Sequence, residues 1–189
     1  TTAAATLLSA TIKFDGNLIL QIHGDGPVRL LVVECRPDLA FRGTAKLHPD
    51  ARIDANAGWR DLVNANGQGR CAITLDPGRS PAGLQRYQGI VPLEGSCMAE
   101  ALEAYLRQSE QIESRLWLAA GDRAACGLLL QRIAHPLTAG GEYDEDAWRR
   151  ATTLAQTVSP AELVQISADQ VVHRLFWQER LEQFEPLAP

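Results

Sequence analysis

Apolar residues in this chain change their period part-way along, and that change limits the fold more than any other feature. Leu18, Leu20 and Ile22 alternate with polar residues, which puts one side of a strand against a core. Val28 to Glu34, Phe41 to Leu47, Cys71 to Leu75 and Arg86 to Leu93 read as further strands. Ile12 and Phe14 also alternate, and Asp15-Gly16 suits a two-residue turn, so a first hairpin is predicted there. Gly24-Asp25-Gly26-Pro27 supplies the next turn, and Trp59 to Ala65 reads as a short helix. Met98, Ala101, Leu102, Tyr105 and Leu106 instead form one helical stripe, capped by Gly95-Ser96. Leu116 to Ala120 and Cys126 to Ile133 return to strand around Gly121-Asp122. Past a break at Ala139-Gly140-Gly141 everything reads as helix. Ser159-Pro160-x-Glu162 and Ser167-x-x-Gln170 are capping boxes.

The reading is α+β: an antiparallel-rich sheet body built of hairpins with packed helices over 1–138, then a small helical linker over 139–189. At 189 residues with 46% apolar content, such a body needs neither disulfide nor metal to hold its core. No apolar run approaches the roughly 20 residues of a membrane helix. The start carries no signal-peptide pattern. It lacks an initiator Met, and Thr1 to Ala5 reads like mid-helix, so a fragment is expected.

Charge is unevenly spread. The chain carries a net −5, and residues 142–189, with nine acids and four bases, account for all of it. No basic patch of the kind nucleic acid requires is present. The same stretch holds five of the eleven aromatics.

Motifs for chemistry are sparse. Cys35, Cys71, Cys97 and Cys126 form no C-x-x-C or C-x-C pair, so they read as small buried hydrophobes in a reducing compartment. His23, His48, His135 and His173 show no metal-ligand spacing. Gly24-Asp25-Gly26 lacks the third glycine of a phosphate loop and suits a hairpin better. Cys97 is the one suggestive nucleophile, at a helix N-terminus where the dipole favours a thiolate. Glu94 and Glu100 oppose that effect. A thiol-dependent enzyme centred on Cys97 is therefore a rival reading, and a purely structural interaction domain is another.

Several motifs in order resemble a known family. They are Ala10 to Gly16, Gln21, Gly24-Asp25-Gly26-Pro27, Arg42-Gly43-x-Ala45, and Arg86-Tyr87-Gln88-Gly89-Ile90-Val91-x-Leu93-Glu94-Gly95. Leu102-Glu103-x-Tyr105, Ser109-Glu110-Gln111, Arg115-Leu116, Gly127-x-Leu129-Leu130-Gln131, and His173-Arg174-Leu175-Phe176 with Glu179 continue the series. Together they resemble the redox-regulated heat-shock chaperonin family, heat shock protein 33, over essentially the whole chain.

The resemblance implies a cytoplasmic, ATP-independent holdase that binds unfolded client proteins as a homodimer and performs no catalysis. It further implies a C-terminal zinc domain in the full-length protein, in which oxidation forms disulfides and ejects the metal. This sequence stops at Pro189, where the zinc-binding pairs are expected to begin, so no zinc ligand carries over to its residues. Its own four cysteines do not match the switch cysteines. Trp148, Leu154, Leu163, Val171, Leu175 and Phe176 are the candidate cover residues, expected to dock on the apolar face of the body sheet. Neither nucleic acid nor membrane is expected as a partner.

Overall fold

The computed structural model describes residues 1–12, 14–78, 85–133, 145–179 and 181–182. The 138/139 boundary, the Ala139-Gly140-Gly141 break and His135 lie outside them. Helix α1 (Thr2–Thr11) leads into strands β1 (Asn17–His23), β2 (Val28–Cys35) and β3 (Phe41–Leu47). Helix α2 (Trp59–Val63) precedes β4 (Arg70–Asp76) and β5 (Tyr87–Pro92). Helix α3 (Met98–Ser109) is followed by β6 (Ser114–Ala120) and β7 (Ala125–Gln131). Three helices close the chain: α4 (Glu145–Ala155), α5 (Pro160–Gln165) and α6 (Ala168–Phe176).

Five strands form an antiparallel sheet in the order β3-β2-β1-β4-β5, and β6 and β7 pair as a separate hairpin. Leu18, Leu20 and Ile22 are buried on one face of the large sheet, opposite Leu75, Ile73 and Cys71 of β4. Leu8 of α1 and Leu102 of α3 join them in the first core.

Ile12 and Phe14, the described residues of the predicted first strand, are not part of a strand. Helix α1 occupies the approach to them and ends on Ile12, whose N–H donates to the Leu8 carbonyl at 3.1 Å. Ala3 to Ala5, Leu7 and Leu8 are good helix formers, and three alternating residues cannot override them. A second difference concerns α3. Its N-cap is Cys97, not Gly95-Ser96. Ser96 instead donates its backbone N–H to Glu100 Oε2 at 2.6 Å, and Gly95 takes a left-handed φ of 89° to permit the turn.

Residues of the motifs that carry the family resemblance hold elements of the body together. The Asp25 carboxylate accepts the backbone N–H groups of Asn66 (3.2 Å) and Gln68 (2.6 Å), stapling the β1–β2 turn to the loop after α2. Gly26 lies so close to α2 that an added Cβ would stand 2.7 Å from the Asp61 and Leu62 carbonyl oxygens. Glu103 of α3 accepts the Leu116 N–H at 2.7 Å and ties the helix to β6. Gly89 leaves room for the Tyr105 ring, which a Cβ would approach to 2.9 Å. An Asp25→Ala change removes both of these solvent-exposed bonds at an otherwise intact turn. We expect it to lower stability by about 0.5–1.5 kcal/mol, read as a shifted urea midpoint with unchanged slope.

Candidate functional site

The β6–β7 hairpin is apolar on both faces. Leu116, Leu118 and Leu129 face the first core, where Gly127 lets α1 approach: a Cβ there would stand 2.8 Å from Leu7 Cδ1. The alternate residues Trp117, Ala119, Cys126, Leu128 and Leu130 face the other way, onto a second cluster. Trp117 sits opposite Leu128 and Ala119 opposite Cys126 in the register. That second cluster consists of Ala155, Val158, Leu163, Val171, Leu175 and Phe176, all from the terminal helical segment.

Local sequence explains why the segment is helical. Ser159 Oγ accepts the Glu162 N–H at 3.2 Å, while Glu162 Oε2 accepts the Ser159 N–H at 2.9 Å; Pro160 occupies the first turn. Ser167 and Gln170 repeat this exchange at α6. Val171 and Leu175 are spaced i,i+4 and share a buried face. Helices of 6, 9 and 11 residues are too short to persist alone. Their docking on the hairpin and their helicity are therefore one event.

Polar contacts fix the orientation. Glu113, just before β6, accepts the Trp148 indole N–H at 3.1 Å and an Arg132 guanidinium N–H at 3.2 Å. Arg132 also pairs with Glu145 at the start of α4. Arg174 of α6 reaches Glu162 of α5 at 2.8 Å, and Arg150 of α4 reaches Glu179 at 3.2 Å.

Five of the six sequence-selected cover residues lie at this interface. Leu163, Val171, Leu175 and Phe176 are in the cluster, and Trp148 is half-buried at its rim. Leu154 is not: it is 38% exposed. The buried positions on α4 and after it are Ala155 and Val158. Trp148, Ala151, Ala155 and Val158 follow a helical phase that the sequence displays, but alanine carries too little bulk to stand out. The surface they cover is the small hairpin; the buried face of the five-stranded sheet is packed in the first core with α1 and α3.

The Glu162 carboxyl is held below the usual carboxylate range by the Ser159 backbone N–H it accepts, then by the Ser159 hydroxyl and Arg174. A lowered folded-state value means that this stabilisation is complete above the unfolded pKa of about 4.3 and disappears as pH falls through the folded one. Acidification below about pH 4.3 is thus expected to loosen α5, read by Trp fluorescence. Glu162→Gln is expected to flatten that acid limb.

The cysteines are all free thiols. Cys71 and Cys35 are buried in the first core, and burial pushes the Cys71 thiol up to about 12. Cys97 packs half-buried against that core, and Cys126 lies half-buried beneath the terminal helices. Among the described residues no group of three or more His, Cys, Asp or Glu side chains is placed to hold a metal ion. These residues do not fit the zinc that the resemblance implies for the full-length protein. No described helix is long and apolar enough to cross a membrane.

Fold and site together define an α+β body whose last hairpin is shared between the main core and the terminal helices. The chain belongs to a chaperone family: the family model described as Hsp33 protein matches residues 1–189. The 33 kDa chaperonin of Pseudomonas paraeruginosa is 44% identical over 97% of this chain and 59% of its own length. That of Methylobacillus flagellatus is likewise 44% identical, over 97% of this chain and 59% of its own length. The chain thus spans about six tenths of the length of these curated relatives. The crystal structure of the 33 kDa chaperonin (heat shock protein 33 homolog) from Thermotoga maritima has a TM-score of 0.70. It is 21% identical, with 96% of this chain and 61% of that one covered, and it shares the fold.

Proposed function

We propose that this chain is the client-binding part of a redox-regulated, ATP-independent holdase, a chaperone that captures unfolding proteins without chemistry on them. The observation that carries the reading is the second apolar cluster. Its hairpin half is a strip of Trp117, Ala119, Cys126, Leu128 and Leu130, and its other half is a set of short, separately capped helices. Undocking the helices bares apolar side chains on both partners, while the opposite face of the hairpin stays anchored in the first core. Exposed apolar area of this kind favours capture of unfolded chains at about 25 cal/mol per Å² buried.

In this reading residues 1–138 are the body and 139–189 the linker. The whole protein works in the cytoplasm as a homodimer and places redox control in a zinc-binding part; none of Cys35, Cys71, Cys97 or Cys126 takes part in that control. Light scattering of a heat-unfolding client tests the proposal. This chain, without oxidant, is expected to suppress aggregation at a few-fold molar excess; undiminished scattering at that ratio rejects the reading.

A further inference from the structure

A cavity of about 340 Å³ opens on the body, away from the second apolar cluster. Ile73 and Leu75 of β4 and Leu8 of α1 line it with apolar surface. Among the described residues Glu110 is the one charged group that lines it, and α1 and α3 both end there, presenting Thr11 and Leu106. Helix C-termini carry partial negative charge, and α1 has no basic residue in its last turn to offset it. Arg107 in the last turn of α3 is not among the lining residues.

Tyr105 donates its hydroxyl proton to Glu110 Oε1 at 2.7 Å, fixing the carboxylate at the rim. Burial, then this carboxylate and the Tyr87 hydroxyl, hold the Tyr105 phenol far above its ordinary pKa, so it remains a donor. Tyr87 belongs to β5, the edge strand, with which no other described strand pairs on its outer side. An apolar hole, a negative rim and an open strand edge thus lie side by side.

We infer that this cavity is a second client subsite, which takes a large apolar side chain of an extended polypeptide with an adjacent Lys or Arg against Glu110. The inference rests on the holdase reading and names the class of segment preferred. The volume lies at the lower end of ligand pockets, enough for one large side chain and not a folded element. The strand edge favours a polypeptide over a small amine, because main-chain pairing adds to what the side-chain pocket contributes.

The test uses fluorescein-labelled 12-residue peptides of repeating Leu-Arg, Leu-Glu and Gly-Arg, with anisotropy read on this chain. Leu-Arg is expected to bind about fivefold to tenfold more tightly than Leu-Glu. Gly-Arg, which has charge without an apolar side chain, is expected to bind no better than Leu-Glu. Glu110→Gln should bring Leu-Arg and Leu-Glu within twofold. Thr11→Phe, a change at an exposed helix end that fills the mouth, should weaken Leu-Arg while the circular dichroism stays unchanged. Equal binding of Leu-Arg and Leu-Glu to the parent chain overturns the inference, as does Leu-Arg binding indifferent to both substitutions. Those failures leave aggregation suppression intact, whereas failure of the holdase reading abolishes suppression altogether.

Discussion

Leu175→Ala is expected to release the terminal helices while leaving the body folded. Leu175 is buried in the second cluster and absent from the first. Truncating a buried leucine costs about 2–5 kcal/mol. Because α4, α5 and α6 are too short to hold themselves, most of that loss falls on docking. A shift of 2 kcal/mol raises the undocked population about 30-fold. Cys126 reports it directly, since it lies beneath the cover and Cys71 and Cys35 do not. Thiol labelling resolved by mass spectrometry should accelerate by at least tenfold at Cys126, with Cys71 and Cys35 unchanged. Suppression of client aggregation should rise in parallel. Acceleration at all buried thiols together would show that cover and body open as one unit, and would remove the basis of the proposed function.

The largest loss of stability is expected from Gly24→Ala. A methyl group at Gly24 collides with the Val28 carbonyl oxygen and stands 3.1 Å from the Val63 carbonyl oxygen. Both are backbone atoms, so no rotamer change relieves the contact. The turn would have to open, breaking the Gly24 N–H bond to the Arg29 carbonyl (2.9 Å) and disturbing the Asp25 staple. Overpacking typically costs about 1–3 kcal/mol, and the lost turn bonds add about 1–3 more. That sum is a large part of the stability of a domain this size. A urea midpoint within error of the parent would show that the turn shifts freely.

Much of this was legible in the sequence, for identifiable reasons. Strand β3 was read to the residue, Phe41 to Leu47, because turn residues bracket it. The boxes at Ser159 and Ser167 were equally clear, since cap chemistry is local. The alternation of Ile12 and Phe14 misleads because so short a stretch carries little information about period; these residues follow the end of α1 at Thr11 and pair in no strand. The linker was legible as amphipathic, but its seat was not: which sheet a helix covers depends on contacts far apart in sequence. Leu154 is the bulkier residue but lies exposed, while Ala151 and Ala155 mark the buried side of α4.

The shared hairpin has a consequence for how such a protein can change over time. Along β6 and β7, neighbouring residues answer to different demands. Leu116, Leu118 and Leu129 serve the permanent interior, while Trp117, Cys126 and Leu128 serve the face beneath the cover. If the proposed function holds, substitutions at the second set retune what is gripped, or how readily the grip is offered, without disturbing the first. Two strands thereby give selection separate dials for durability and for appetite.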